Sequence, residues 1–375
     1  MVLVGLGGPS SPDEVVPFVY HRLMDPAEVY LPVSGWARRQ LAKVLARRWG
    51  RGLREAFELI GGCSPLRRLA AEQAAALQRR LGDTLADYDG VTVKTYVAMR
   101  HGGPSLADVC GSMQADGVTK VVLLPLDPHY SVATTGSAAR QWAARCERFE
   151  LPTTLIPEFS AHPRFVQALN DRVDEGLQRF SREDRPSVQL LFVGHGIAKR
   201  RLTRDGDPYC CQVHATVRAL RAKRDEPGRA VRTAFLDPLG LGGTHGLSVV
   251  DAIDDMAADG SQALLVVPIS FTTDRIETAY HLDVSGRARA AEQGVSRFEV
   301  TSGINAHPAL VDALADVVGH HLYDASAAGG DGLATSVPHL SPSPVPSAPP
   351  CPVCDRSVPV RAWAEWAARP ASEPR

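Results

Sequence analysis

The chain has 375 residues, a length that predicts about two domains. Its 41 Lys and Arg residues nearly balance its 42 Asp and Glu residues, so the formal net charge is −1. This balance excludes the basic excess that is typical of a general nucleic-acid binder, and we expect no nucleic-acid partner.

The seven cysteines are an odd number, and no signal-peptide pattern precedes them. The longest apolar runs, such as residues 263–269, are far shorter than the ~20 residues that span a bilayer. We therefore expect a cytoplasmic, reducing location in which the cysteines are thiols or metal ligands rather than disulfides. Peripheral membrane contact and the oligomeric state stay open.

Short apolar runs alternate with longer helical patterns along the first part of the chain. The runs are rich in β-branched residues, which is typical of strands buried on both faces of a parallel sheet. The longer patterns place apolar residues three or four positions apart, which predicts helices. The predicted strands cover residues 2–4, 91–97, 121–125 and 153–156, and the predicted helices cover 65–80 and 105–113.

The second part of the chain repeats this order of elements. Met113–Gly117 and the strand after it recur 143 residues later as Met256–Gly260 and its strand. Ala161-His-Pro recurs as Ala306-His-Pro, each time at a predicted helix start, where Pro is favoured. We interpret His162 and His307 as structural for this reason. The predicted strands cover 189–193, 231–235, 263–268 and 297–300, and the predicted helices cover 211–223 and 248–258.

This internal repeat predicts an α/β fold with two similar, Rossmann-like, doubly wound parallel-sheet domains. We place the first at residues 1–157 and the second at 158–323, with the C-terminal helix of the second packing back on the first. A Pro-, Ser- and Gly-rich linker at 324–350 and a tail at 351–375 follow. Ligands of such sheets bind beyond the carboxyl ends of the strands, so we expect an active-site cleft between the domains.

Two strand ends carry candidate catalytic residues. Glycines flank His195 at the end of one predicted strand, whereas the matching position of the first half is Leu6. Glu277 follows another strand, and a helix over 274–283 would align it with Asp274 and His281. A neutral imidazole accepts a proton or binds a divalent metal, and a carboxylate does both. The alternative is that local hydrogen bonds satisfy each residue.

Five segments, in this order along the chain, resemble motifs of the ferrochelatase family. The resemblance covers most of residues 2–320, and the order and spacing of the segments make it specific. The segments are Leu6–Pro9 with Ser11 and Pro12, Ile60–Leu66, Tyr130–Ser137, Gly206–Tyr209 with Gln212, and Asp274–Asp283.

The resemblance implies a chelatase-like fold and insertion of Fe²⁺ into a porphyrin with release of two protons. It implies that His195 accepts a proton and contacts the metal, and that Glu277 contacts the metal from the opposite side. Asp274, His281 and Asp283 would continue a proton path. Implied porphyrin-binding residues are Arg47, Arg48, Arg100, Tyr130, Thr134 and Ser137. A solvated helix face is an equal alternative for Arg47 and Arg48.

Iron is a substrate in this interpretation. Some ferrochelatases also hold a 2Fe–2S cluster through cysteines of a C-terminal extension, and Cys351 and Cys354 lie in such an extension here. A zinc site is equally compatible, and so is a tail without metal. Any of Cys63, Cys146, Cys210 and Cys211 could complete a ligand set, and no spacing favours one of them.

The sequence departs from the family at four places. Arg275 replaces a histidine, His281 replaces a glutamate, Gly194 replaces a serine, and residues 235–243 replace a longer loop. These departures motivate the alternative of a non-catalytic porphyrin- or haem-binding protein. A chelatase that inserts cobalt or nickel into another tetrapyrrole is a further alternative. The sequence leaves open whether protoporphyrin IX or coproporphyrin III is the substrate.

Overall fold

A computed structural model describes residues 1–84, 92–204, 206–237 and 245–327. Within this part, the first half forms a four-stranded parallel sheet with the order β2-β1-β3-β4. Its strands are β1 (Val2–Gly7), β2 (Tyr96–His101), β3 (Val121–Pro125) and β4 (Thr153–Leu155). Its helices are α1 (Val15–Met24), α2 (Gly35–Leu59), α3 (Leu66–Thr84), α4 (Leu106–Ala115) and α5 (Thr135–Cys146).

The second half repeats the same strand order in a second parallel sheet, β6-β5-β7-β8, which confirms the two similar α/β folds. Its strands are β5 (Gln189–His195), β6 (Val231–Leu236), β7 (Ala263–Pro268) and β8 (Arg297–Val300). Its helices are α6 (Pro163–Leu177), α7 (Lys199–Arg204), α8 (Tyr209–Arg224), α9 (Val249–Ala258), a π-helix (Glu277–Ser285), α10 (Gly286–Glu292) and α11 (Pro308–Ala327). In the described residues, no helix is long and apolar enough to cross a membrane.

The second strand lies later than the sequence predicts. We expected it at residues 91–97, but β2 begins at Tyr96, which pairs with Val2 of β1. The side chain of Gln78 explains the difference, because it donates to the carbonyl of Val93 and accepts from the amide of Thr95 at 2.6 Å. These backbone groups therefore bond to a helix side chain instead of a neighbouring strand.

The repeated Ala-His-Pro segments cap equivalent helices. Pro163 and Pro308 are the first residues of α6 and α11. Nδ1 of His162 accepts a hydrogen bond from the amide of Arg164, and Nδ1 of His307 accepts one from the amide two residues on. Helix amino termini leave amide groups without partners, so an imidazole acceptor stabilises them. Both histidines therefore have the structural role that the repeat predicts.

One expectation for the cysteines is wrong. Cys110 of α4 and Cys146 of α5 form a disulfide, although we expected thiols or metal ligands. Helices α4 and α5 pack side by side on one face of the first sheet, which brings the two Cα atoms to 6.0 Å. That separation suits a disulfide. Cys63, Cys210 and Cys211 are thiols that take no part in a disulfide.

Polar and apolar contacts join the two halves. Helix α11 packs on α3, and Arg80 of α3 pairs with Asp312 of α11 at 2.6 Å. Gln73 of α3 is buried and reaches the loop after β7. It donates to the carbonyls of Thr272 and Asn305 at 3.1 and 2.9 Å, and it accepts from Thr273 Oγ1 at 3.0 Å. These hydrogen bonds hold helix α3 of the first half against the loops that follow β7 and β8 of the second half.

Candidate active site

A cavity of about 310 Å³ lies between the two halves, at the carboxyl ends of their strands. The first half contributes residues at the ends of β1, β2 and β3, and the second half contributes the end of β5. This is the edge at which doubly wound sheets bind ligands. Charged side chains that line the cavity are Arg22, Glu28, Arg100, Asp127, Arg200, Asp237 and Arg275, together with His195.

His195 ends β5 and lies in this cavity. Its amide donates to the hydroxyl of Tyr209 at 2.6 Å, and its ring stands edge-on to Phe271. Its Nδ1 is buried without a hydrogen-bond partner in the described structure. Burial, and secondarily the positive charge of Arg275, lower the pKa of His195 to about 4. The imidazole is therefore neutral at pH 7 and can accept a proton or bind a metal.

Glu277 is the first residue of the π-helix and only 1% exposed. Among the described residues, neither carboxylate oxygen has a hydrogen-bond partner. Burial by itself raises the pKa of Glu277, but the charges of Arg275 and Arg22 and of nearby imidazoles lower the pKa to a net value below its usual range. Glu277 is therefore an ionised, buried carboxylate. Such a group is unstable unless a cation or hydrogen-bond donor reaches it.

Arg275 connects Glu277 to the first half of the chain. Its Nε lies 3.6 Å from Glu277 Oε2, and its Nη2 lies 3.4 Å from Oδ1 of Asp127, which follows β3. The guanidinium stacks over Phe271, 4.6 Å from the ring centroid. Its Nε has no hydrogen bond in the described structure, so the contact with Glu277 is electrostatic only. A permanent cation thus stands beside the carboxylate at which the sequence predicts a metal.

Glu28 forms a second charged cluster at the cavity. It forms an ion pair with Arg22, its Oε2 accepts a hydrogen bond from Nε2 of His101 at 2.9 Å, and Nη2 of Arg100 lies 3.6 Å from the same oxygen. Burial raises the pKa of Glu28, but Arg22, His101 and Arg100 together hold it well below its usual range. Sequence reasoning missed Glu28, Arg22 and Asp127. The strand-end rule was a usable signal for Asp127 and for His101, because both stand at the carboxyl ends of strands.

The structure brings only some of the predicted porphyrin-binding residues to the cavity. Arg100 and Thr134 line it. Ser137 is buried against Asp25, and the amide of Tyr130 donates to Gln212 Oε1 at 2.7 Å. Among the described residues that line the cavity, neither Tyr130 nor Ser137 occurs.

Arg47 and Arg48 are exposed on α2 and do not line the described cavity. This position agrees with the alternative of a solvated helix face. Cys351, Cys354 and residues 238–243 of the altered loop lie outside the described residues.

The predicted proton path is not a single helical stripe. Asp274 precedes the helix, and its two oxygens accept from the amide of Gly303, from Thr278 Oγ1 and from Asn305 Nδ2 at 2.8–3.0 Å. Asp274 therefore anchors a loop. The alignment of Asp274 with Glu277 on one helix was wrong for this reason. His281 is half-buried within the π-helix, and Asp283 forms a more exposed ion pair with Arg287 at 2.7 Å.

This chain is weakly similar to one solved structure. SirB from Bacillus subtilis with Fe³⁺ is 13% identical and has a TM-score of 0.49, with 69% of this chain and 92% of that chain covered.

Sequence relatives are closer. The ferrochelatase of Thermosynechococcus vestitus is 33% identical over 322 residues, which cover 85% of this chain and 81% of the relative. The ferrochelatase of a Synechococcus species is 35% identical over 328 residues, which cover 86% and 93%. The ferrochelatase family model matches residues 1–322. The chain therefore belongs to the ferrochelatase family, the enzymes of haem biosynthesis that insert iron into a porphyrin.

Proposed function

We propose that Fe²⁺ insertion takes place in the cavity between the halves, with His195 and Glu277 as the catalytic pair and as the metal contacts. One observation carries this assignment: Nδ1 of His195 and both oxygens of Glu277 are buried without hydrogen-bond partners in the described structure. A buried carboxylate and a buried imidazole nitrogen without partners cost free energy, and binding a cation or a polar N–H group removes that cost. A porphyrin supplies N–H groups, and Fe²⁺ supplies the cation.

His195 is the proton acceptor in this proposal. Two pyrrole protons must leave the porphyrin before its four nitrogens can hold the metal. Because burial and Arg275 lower the pKa of His195 to about 4, the imidazole is neutral and free to take a proton at pH 7. The low pKa also favours rapid loss of that proton, so His195 acts as a relay. Glu277 exchanges with the water shell of Fe²⁺ and offers negative charge to the incoming ion.

Arg275 keeps Glu277 ionised before iron arrives. Its guanidinium occupies the space beside Glu277, and an Fe²⁺ ion bound there would repel it. Asp127 offers Arg275 a second carboxylate, 3.4 Å from Nη2. We propose that Arg275 turns toward Asp127 when iron binds. This movement takes the positive guanidinium away from the metal, and Asp127 keeps the buried cation paired.

His281 is our proposed next step for protons that leave Glu277. It lies in the same π-helix, one turn away, and Glu277 influences its pKa electrostatically. Asp283 stands nearer to solvent and would accept the proton after His281. Asp274 remains in the predicted path only as the anchor of the preceding loop, because its oxygens already accept three hydrogen bonds.

The porphyrin itself would extend beyond the smaller cavity. A second cavity of about 580 Å³ lies in the first half and shares Arg100 with it. Arg100 and Thr134 are our proposed contacts to the porphyrin, and Tyr130 and Ser137 would support them from behind. Arg47 and Arg48 remain proposed partners of propionates at the outer edge. Either protoporphyrin IX or coproporphyrin III would provide such carboxylates.

A cytoplasmic location, peripheral membrane contact and a metal or 2Fe–2S cluster at Cys351 and Cys354 remain predictions. The second candidate function is a porphyrin- or haem-binding protein without turnover. The contact of Arg275 with Glu277 favours it, since a cation already stands at the metal position.

The test is anaerobic insertion of Fe²⁺ into protoporphyrin IX and into coproporphyrin III, with porphyrin binding measured in parallel by fluorescence quenching. We expect turnover in the wild type, and a loss of at least a hundredfold in His195→Ala and Glu277→Gln with porphyrin binding retained. Arg289→Met is the matched control, because Arg289 forms a half-buried ion pair with Asp254 in the second half and does not line the cavity. Porphyrin binding without turnover in the wild type would instead establish the binding protein.

A further inference from the structure

A second group of side chains that could hold a metal ion contains neither His195 nor Glu277. Asp25 and Glu28 belong to the segment that follows α1, and His101 is the last residue of β2. One ligand atom from each of the three lies within 4.8 Å of the other two. In the part of the chain that the structure describes, no other trio of His, Cys, Asp and Glu side chains meets this condition.

Two of the donor atoms already face each other. His101 is 4% exposed, and its Nε2 lies 2.9 Å from Oε2 of Glu28. Oε1 of Glu28 forms the ion pair with Arg22, whereas Oε2 faces Nε2 of His101. Two carboxylates and one imidazole are ligands that suit Fe²⁺ and similar divalent ions.

Surrounding groups orient Asp25 toward this position. Its Oδ1 accepts from the amide of Ala27 at 2.8 Å, and its Oδ2 accepts from Ser137 and from Gln141 Nε2. Such outer partners are typical of metal-ligating carboxylates. Oε1 of Gln141 is buried and has no hydrogen-bond partner in the described structure. A cation bound at the trio would therefore also stabilise this buried amide oxygen.

The position of the trio suggests its use. Asp25, His101 and Gln141 line the 580 Å³ cavity of the first half, whereas Glu28 lines the 310 Å³ cavity that contains His195. An ion held by the trio would therefore stand between the two cavities. Arg22 and Arg100 offset part of the negative charge, which weakens the attraction for a cation. A weakly bound ion can leave its site again. Weak binding at a position between the two cavities therefore suits passage of the ion from one cavity to the other better than long-term storage.

We propose that Asp25, Glu28 and His101 form a second divalent-cation site, which holds Fe²⁺ on its way from the larger cavity to the porphyrin. The site itself is independent of the proposed function, whereas the delivery role rests on it. The experiment therefore measures metal binding and iron kinetics separately.

Metal binding is measured by titrating the full chain with Co²⁺ and following its visible d–d absorption. The starting protein carries His195→Ala, Cys351→Ser and Cys354→Ser, so that the proposed catalytic site and the tail do not contribute. We expect one Co²⁺ per chain, and its loss when His101→Ala or Glu28→Gln is added. His21→Ala is the matched control, because His21 lines the same cavity outside the trio. Far-UV circular dichroism shows whether each variant folds.

Iron kinetics test the delivery role in a chain that keeps His195. His101→Asn should raise KM for Fe²⁺ at least fivefold, with kcat and KM for porphyrin within twofold of the wild type. Unchanged Co²⁺ binding in both trio variants, or no binding in the starting protein, would overturn the site. Lost Co²⁺ binding with an unchanged KM for Fe²⁺ would overturn delivery alone. If the wild type shows no turnover, the proposed function fails, and the Co²⁺ titration still decides the site.

Discussion

Replacing Arg275 by Met removes a charge beside the proposed catalytic pair, His195 and Glu277, while keeping an unbranched side chain over Phe271. The guanidinium lies 3.6 Å from Glu277 and 3.4 Å from Asp127. At an effective dielectric constant of about 20, a unit charge at that distance interacts with a carboxylate by roughly 4–5 kcal/mol. Both carboxylates are largely buried, so little solvent screening reduces this coupling. The substitution therefore changes the electrostatics of the site more than its packing.

The direction of the effect follows from the pKa shifts. Arg275 lowers the pKa of His195 and the pKa of Glu277, so its removal raises both. Each group must be deprotonated to act, and protons then compete with the metal at a higher pH than in the wild type. We expect the acid limb of kcat/KM for Fe²⁺ to move to higher pH in Arg275→Met. At alkaline pH both groups are deprotonated in both proteins, and loss of a repelling cation should leave kcat/KM equal or higher.

The assay follows porphyrin absorbance under anaerobic conditions from about pH 3.5 to 8, a range that includes the pKa of about 4 of His195 in the wild type, with Zn²⁺ as a second metal that does not oxidise. Arg289→Met is the control, because Arg289 forms a half-buried ion pair with Asp254 and does not line the cavity. The kcat/KM profile reports on groups of the free enzyme. An acid limb at the wild-type position, or one displaced to lower pH, would refute the assigned electrostatic role of Arg275.

Three further predictions concern stability, each read from urea unfolding. Gln73→Leu should lower the unfolding free energy by about 2–4 kcal/mol, because three hydrogen bonds to the second half lose their partner; a loss below 0.5 kcal/mol would contradict the role of Gln73 in joining the halves. Cys146→Ser opens a disulfide that spans 36 residues, so we expect a loss of about 3–4 kcal/mol in oxidising buffer and none relative to the reduced wild type. Equal stability in both buffers would show that Cys110 and Cys146 are thiols in solution. Asp274→Ala should lower stability by about 3 kcal/mol, since three donors lose a charged acceptor; a neutral effect would mean that Asp274 does not anchor its loop.

The sequence alone determined the architecture of this protein. Strands buried on both faces appear as local apolar runs, and helices appear as a local period, so both are visible without the fold. The repeat of Met113–Gly117 at Met256–Gly260 then predicted that one arrangement occurs twice, and the two sheets have the same strand order. The start of β2 was not visible, because a distant helix side chain, Gln78, takes the backbone groups of residues 93 and 95.

His195 and Glu277 were also accessible from the sequence, because each follows a predicted strand and stands in a recognisable motif. Their surroundings were not. Asp127 meets Arg275 from 148 positions away, and Cys110 meets Cys146 across two helices. Only the packed halves bring the charged side chains of this site together. Their packing decides which charges are paired and leaves both oxygens of Glu277 without a hydrogen-bond donor in the described structure. Local pattern therefore determined the elements and the residues that we propose as catalytic, and tertiary structure decided their electrostatics, because charges act across space rather than along the chain.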